Sequence, residues 1–272
     1  MAISFLSRST SSLPRLAQHR HLIRVMVGRD LALRYRGSIF GIFWSLLNPL
    51  AMLALYTFVF SVILKVKFGV NGGTSAFALY LFCGMLPWLA FSEGVSRSTS
   101  VIIENTNLVK KVVFPLEILP LNVVLAAVVT QGIGTLVLLA AVLIKGVPIS
   151  WTWLLAPLLL IPQLCWTLGI GWLLASMGVF VRDVGQFIGL ALTAWMFMTP
   201  IMYPETMIPA KYQALMNLNP LAVIIHGYRK FILEGQLPSW RPILFTTVLG
   251  ALVFLLGYAW FLKTKKGFAD VL

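Results

Sequence analysis

Six apolar stretches, each long enough to cross a bilayer, leave this chain few choices of fold. They cover residues 39–64, 77–102, 116–144, 151–181, 187–203 and 242–262. A hydrocarbon core about 30 Å thick takes roughly 17–25 apolar residues in a helix, and every stretch meets that length. Inside lipid each backbone N–H and C=O must be paired within the protein, so segments of this kind span as helices. The expected fold class is therefore an all-α integral membrane protein with six transmembrane helices. At 59% hydrophobic and 11% charged, the chain also lacks the polar residues to cover a soluble globule.

The formal charge of +13 would suggest nucleic acid in a soluble domain. Here the basic residues flank apolar runs, where topology and anionic headgroups account for them, and nucleic acid is not an expected partner. Fourteen of the 21 lysines and arginines fall on the side that holds both termini, seven on the other. That bias predicts a multi-pass protein with both termini in the cytoplasm.

Three regions follow. Residues 1–21 are rich in Ser and Arg without the apolar core of a secretory signal, and are expected to be a disordered cytoplasmic extension. Residues 22–38, with Arg29, Asp30, Arg34 and Arg36, form a basic, helix-friendly flank whose charges do not segregate to one face. Residues 39–272 make the six-span domain. Within it, residues 204–239 do not fit a span, because the longest unbroken apolar run is 220–225, cut off upstream by Asn217 and Asn219. They predict a re-entrant or interfacial helical pair on the outer side. A seventh span would carry Lys263, Lys265 and Lys266 outside, against the charge bias.

The chain carries no phosphate-binding loop, no H-E-x-x-H and no G-x-S-x-G, so it is not expected to be an enzyme. Cys83 and Cys165 both lie inside apolar runs, which argues against a disulfide or a cysteine metal site. Carriers coupled to ions need an ionisable group near the midplane, and Glu93 is the one candidate; its spacing to Arg97 favours an ion pair on one helix face. A secondary lipid or sugar flippase is disfavoured on that ground. A membrane-embedded glycosyl- or acyltransferase is disfavoured because no acid or His pair gathers at one face.

Two other features carry functional expectations. Tyr56, Phe60, Trp88, Phe91, Trp166, Trp195 and Phe197 fall too deep for an interfacial belt. They are either helix-packing bulk or a path in which ring faces stack on the C–H faces of sugars. Residues 104–111, with Glu104, Asn105, Asn107, Leu108, Val109, Lys110 and Lys111, form a short polar interval between the second and third stretches. One or two helical turns there either present side chains to a soluble partner or rest their lysines on headgroups. Gly37 with Gly41, Gly171 with Ala175 and Gly185 with Gly189 have the spacing of close helix contacts, and Pro120, Pro157, Pro162 and Pro200 are expected to kink or interrupt spans.

Taken as blocks, RDLALRYRGSIFGIFWSLLNPLAMLALYTFVFSVIL (29–64), LPWLAFSEGVSRSTSVIIENTNLVKKVVFPLEILP (86–120), VRDVGQFIG, TPIMYPETMIP and LNPLAVIIHGYRKFILEG resemble the membrane subunit of type-2 ABC exporters. Within that family they are most similar to O-antigen permeases, with capsule and teichoic acid exporters as relatives. The resemblance implies a homodimer in the bacterial inner membrane that moves a lipid-linked polysaccharide. It implies two copies of a separate ATPase subunit holding ATP and Mg, with no cofactor on this chain. It further implies an interface helix over 22–36, a coupling helix over 104–112, and outer gate helices over 204–235, bordered by Tyr203 and including Asn219, Pro220 and Tyr228.

Overall fold

Helix accounts for every regular element among the described residues. The structure, a computed structural model, describes residues 18–34, 37–38, 40–63, 74–111, 114–146, 148–203 and 208–272. The expected extension 1–21 lies almost wholly outside them, as do Arg36 and the side chains of Phe60 and Lys111.

The first helix, α1 (Arg20–Arg34), leads through a 3-10 turn (Gly41–Phe43) into α2 (Trp44–Tyr56), which widens to a π-helix (Thr57–Ile63). Then come α3 (Thr74–Ser98), the short α4 (Val101–Glu104) and α5 (Thr106–Lys111), and α6 (Ile118–Ile144). A 3-10 segment (Trp151–Leu159) runs into α7 (Leu160–Phe180), followed by α8 (Val184–Met198), α9 (Ala210–Leu218) and α10 (Pro220–Arg229) with a π-helical tail (Lys230–Glu234). The chain closes with α11 (Trp240–Thr264) and α12 (Phe268–Val271).

Four helical segments are long and apolar enough to span: Phe77–Ser98, Ile118–Ile144, Trp151–Phe180 and Trp240–Val271. The first and fifth expected spans are represented by the shorter apolar helices Trp44–Val59 and Val184–Met198. At 1.5 Å per residue α8 is only about 22 Å long, short of the ~30 Å hydrocarbon.

The most enclosed span is α3, with 83% of its apolar window buried against 28% for Trp240–Val271. It packs on α2, α6, α7 and α10 and so ties both ends of the molecule together. Helices in lipid gain nothing from expelling water, so close backbone approach takes over. Two such cases are α7 on α11, where a Cβ at Gly257 would stand 2.0 Å from the Gly169 carbonyl oxygen, and α7 on the turn after α3, where a Cβ at Gly178 would stand 1.9 Å from the Thr99 carbonyl oxygen. Of the expected small-residue sites, Gly171 does face a neighbour, Ser98 Oγ, at 3.0 Å from where its Cβ would be. Gly37 and Gly41 instead turn the chain between α1 and α2 at φ 83° and 49°.

The proline expectation is met in part. Pro120 occupies the first turn of α6, where a missing N–H breaks no intrahelical bond, Pro162 stands just past the change from 3-10 to α-helix, and Pro200 follows the end of α8 within the fifth expected stretch. Pro157 sits in the 3-10 lead-in, and the prolines inside α-helices are Pro49 and Pro87.

Two ends can be told apart. The basal end gathers α1, α4, α5 and the C-terminus. Lys265 Nζ meets Glu117 Oε2 at 3.0 Å, and Phe268 is buried in a cluster with Ile102, Val179 and Phe261. The distal end holds the α6–α7 turn and the whole of residues 208–239. That segment starts and finishes there: Asn219 bonds to the end of α8, and Thr152 and Trp153 donate to the carbonyls of Phe231 and Ile232 at 2.6 and 3.0 Å. From there α11 returns the C-terminus to the end that carries α1.

Candidate functional site

At the basal end α1 lies against α6 and locks onto α3 through alternating charges. Asp30 accepts from both Arg97 guanidinium nitrogens at 2.7 and 2.9 Å. Arg34 reaches Glu93 at 2.6 Å and Asp30 at 3.3 Å, and Arg97 closes the ring to Glu93 at 3.5 Å. The expected Glu93–Arg97 pair is present, but the shorter contact of Glu93 is to Arg34. This arrangement explains the unsegregated charges of α1: Asp30 and Arg34 point at protein, while Arg29 is exposed. Burial opposes ionisation of Asp30, but the hydrogen bonds and charge of Arg97, with Arg34 behind them, outweigh it and hold its carboxyl below the usual aspartate value. Beside the ring is a cavity of about 400 Å³ lined by Arg29, Arg97, Glu104, Leu108 and Asn122 among others.

The polar interval 104–111 is not one helix. Asn105 breaks it, at φ −112° and ψ 32°, with its side-chain amide donating to the Val101 carbonyl at 2.8 Å and its own carbonyl accepting from Leu108 N at 2.9 Å. Ser100 Oγ donates to Glu104 at 2.6 Å, and Thr106 Oγ1 to the Ile103 carbonyl at 2.6 Å. Leu108 and Val109, expected to face a partner, pack inward against the cluster of Ile102, Phe261 and Phe268. The face left outward is Ile103, Glu104, Asn107 and Lys110, all exposed and at helical spacing. The segment is thus pinned to α6, α7 and the C-terminal helix.

At the distal end Asn219 is a junction. Its Oδ1 caps α10 by accepting from the Leu221 and Ala222 N–H groups at 3.1 and 3.4 Å, and it also accepts from Trp195 Nε1 at 3.1 Å. Its Nδ2 donates to Thr199 Oγ1 at 3.0 Å. Pro220 at the first position of α10 costs no hydrogen bond. Tyr203 donates to the Phe197 carbonyl at 3.1 Å. Tyr228 is 5% exposed and accepts from Gln131 at 3.2 Å, next to a reciprocal amide pair in which Gln131 and Gln163 donate to each other at 3.1 and 2.6 Å.

Arg229 is the residue that sequence reasoning missed. Counted as an outer-side surface charge, it is 1% exposed. Its guanidinium donates to the Pro200 and Ile201 carbonyls at 2.7 and 3.0 Å and to Tyr80 Oη at 2.9 Å, and its Cζ lies 3.5 Å over the Tyr80 ring. Gly84 makes the room, since a Cβ there would stand 2.7 Å from an arginine nitrogen. The available signal was spacing: Arg229 falls four residues after Ile225 and eight after Leu221, on the apolar face of α10.

This helical membrane chain, with an ion-paired helix before the first apolar segment and a pinned helix between the second and third, matches a family model for ABC-2 type transporters over residues 21–233. It belongs to the ABC-2 transporter membrane family. Curated relatives include the O-antigen export system permease protein RfbA of Klebsiella pneumoniae, 31% identical over 257 residues, which cover 92% of this chain and 95% of the relative. The RfbA of Myxococcus xanthus is 29% identical over 94% of this chain and 96% of its own length. More distant is the polysialic acid transport protein KpsM of Escherichia coli, at 22% over 77% and 80%.

For an ABC-2 membrane subunit, the placement of the deep aromatics matters. Trp88 and Phe91, expected to line a path, are 3% and 0% exposed within the protomer, and Phe91 packs edge-on to Trp195 at 5.2 Å. Rings enclosed by protein have no free face for a sugar, so in this arrangement they are packing residues. Phe197 is 61% exposed; Trp195 and Tyr56 are partly buried. Trp166 is likewise structural, donating to the Thr246 carbonyl at 3.0 Å beside Gly250.

Proposed function

We propose that this chain is the membrane permease of an ATP-driven exporter that carries a lipid-linked, O-antigen-like polysaccharide across the bacterial inner membrane, with both termini cytoplasmic. The observation that carries the reading is likeness to named O-antigen export permeases over nearly the whole chain, rather than over a shared fragment. Membership of the ABC-2 family implies an ATPase partner, and in this proposal two copies of it bind ATP and Mg and dock on a homodimer of this chain. The work of hydrolysis enters through the outward face of α4 and α5, at Glu104, Asn107 and Lys110. Helices α9 and α10 form the outer gate. The exposed ring of Phe197 and the partly buried Trp195 and Tyr56 are the remaining aromatic candidates for contact with sugar.

Reconstitution tests the reading. In proteoliposomes containing this chain and the ATPase encoded beside it, a lipid-linked glycan should reach the far leaflet only when ATP is present. Transport driven by an ion gradient without the ATPase would make the chain a secondary flippase, and glycan transfer without translocation would make it an enzyme.

A further inference from the structure

Beyond the coupling face and the gate, one surface has the makings of a lipid site. Between α1 and α6 runs a groove of about 500 Å³ lined by Arg20, Ile23, Arg24 and Val27 from α1 and by Leu125, Val128 and Val129 from α6. Its floor is wholly aliphatic. Its only polar side chains are the two arginines, one helical turn apart, exposed, and without an ion-pair partner among the described residues. The nearest acid on α1, Asp30, is taken up by Arg97 and Arg34, and Glu104 is bonded to Ser100.

Depth decides what such a groove can hold. Helix α6 has 27 residues, about seven more than the ~20 a hydrocarbon core requires. Counting twenty back from Ile144, its distal end, places the basal edge of the hydrocarbon at Leu125. The aliphatic floor therefore sits just inside that edge, and the two guanidiniums sit at headgroup level, where arginine is stable with its stem on apolar surface and its charge outward.

We propose that this groove binds an anionic phospholipid of the surrounding membrane, its phosphate held between Arg20 and Arg24 and one acyl chain lying along Leu125, Val128 and Val129. Charge complementarity selects the headgroup: two unpaired cations over an apolar slot hold a phosphodiester that carries net negative charge better than a zwitterion, whose own ammonium competes for the phosphate. A lipid-linked glycan is the other phosphate-bearing lipid in such a membrane, but the groove is built by α1 and α6 alone. The exposed aromatic Phe197 belongs to α8, which packs on α3 and α7. A lipid here would glue the basal helix to the third long apolar segment independently of any transport step.

The test uses the purified full-length chain and native mass spectrometry. Dioleoyl phosphatidylglycerol should be retained over dioleoyl phosphatidylcholine by about thirtyfold, the combined attraction of two basic residues at the membrane surface. Arg20→Gln with Arg24→Gln should remove that preference. Val128→Trp, which fills the floor without touching charge, should reduce retention of both lipids. Equal retention of the two lipids by the wild-type chain, or an unchanged preference in the double arginine variant, overturns the site. A polyprenyl diphosphate that displaces phosphatidylglycerol at equal concentration overturns the assignment to bulk phospholipid. Because both arginines are exposed, the double variant should keep its helical content by circular dichroism, which separates loss of lipid from loss of fold.

Discussion

Two arginine-centred structures sit at opposite ends of this molecule and are built on opposite principles. At the basal end, Arg34 and Arg97 share Asp30 and Glu93 in a ring whose side chains keep 16–35% of their exposure. At the distal end, Arg229 is sealed from solvent and spends its donors on two backbone carbonyls and a tyrosine. Half-wet ion pairs contribute little net stability and exchange partners readily, which suits a joint that must move. A buried cation that donates from all three guanidinium nitrogens is costly to disturb, which suits a fixed anchor. The difference teaches where the fold is fixed: the distal segment is stapled at Arg229, and the basal helix is held by half-exposed ion pairs.

The largest effect should come from the anchor. Arg229→Met leaves the Pro200 and Ile201 carbonyls without their donor at about 1–3 kcal/mol each, enough to lower yield and thermal stability in detergent sharply. Arg229→Lys should recover only part of this, because a point ammonium cannot reproduce the fork. If Arg229→Met melts like the wild type, the contrast between the two ends fails. Gly84→Ala should follow at about 1–2 kcal/mol, since the added methyl strikes a guanidinium already held by its bonds.

At the joint, Arg97→Gln should cost about 1 kcal/mol or less and lose even that in high salt. The exchange Asp30→Arg with Arg97→Asp should restore part of it, read as melting temperature against each single variant. Acid should loosen the same joint. The folded-state pKa of Asp30 is depressed, so its contribution is full above the ordinary aspartate value of about 3.9 and is lost as the pH falls through the lower folded value. Amide exchange in α1 should therefore rise steeply only below about pH 4, and Asp30→Asn should abolish the step; a step centred near neutral pH would assign it to another group. The smallest effect on stability belongs to Asn107 and Lys110, whose exposed side chains make no hydrogen bond or ion pair among the described residues and whose replacement should shift stability by less than about 0.5 kcal/mol.

Much of the architecture could be read before any coordinates. Helical class and the long spans follow from the length of apolar runs, because lipid permits so few backbone solutions. The Glu93–Arg97 pairing followed from spacing alone. What escaped depended on which side of a helix faces protein. In lipid both faces of a span are apolar, so periodicity could not tell the buried Trp88 and Phe91 from the exposed Phe197. Leu108 and Val109 lie in a polar interval outside the spans, and their inward turn depends on the distant Phe261 and Phe268. Arg229 escaped for a different reason: a positive charge near a span end is ordinarily a surface marker, and only the three-dimensional meeting of Tyr80, Gly84 and Pro200 makes it a core residue. Gly169 and Gly257 are 88 positions apart, and no local spacing could pair them.

The central claim is that work from an ATPase enters at the outward face of α4 and α5. A photo-crosslinking amino acid placed singly at Asn107, Leu108 or Lys211 in cells expressing the partner ATPase tests it most directly. The account predicts a cross-link to the ATPase from Asn107, about tenfold less from the inward-facing Leu108, and none from Lys211 at the distal end. Capture of the ATPase from Lys211, or equal capture from Leu108 and Asn107, would contradict it.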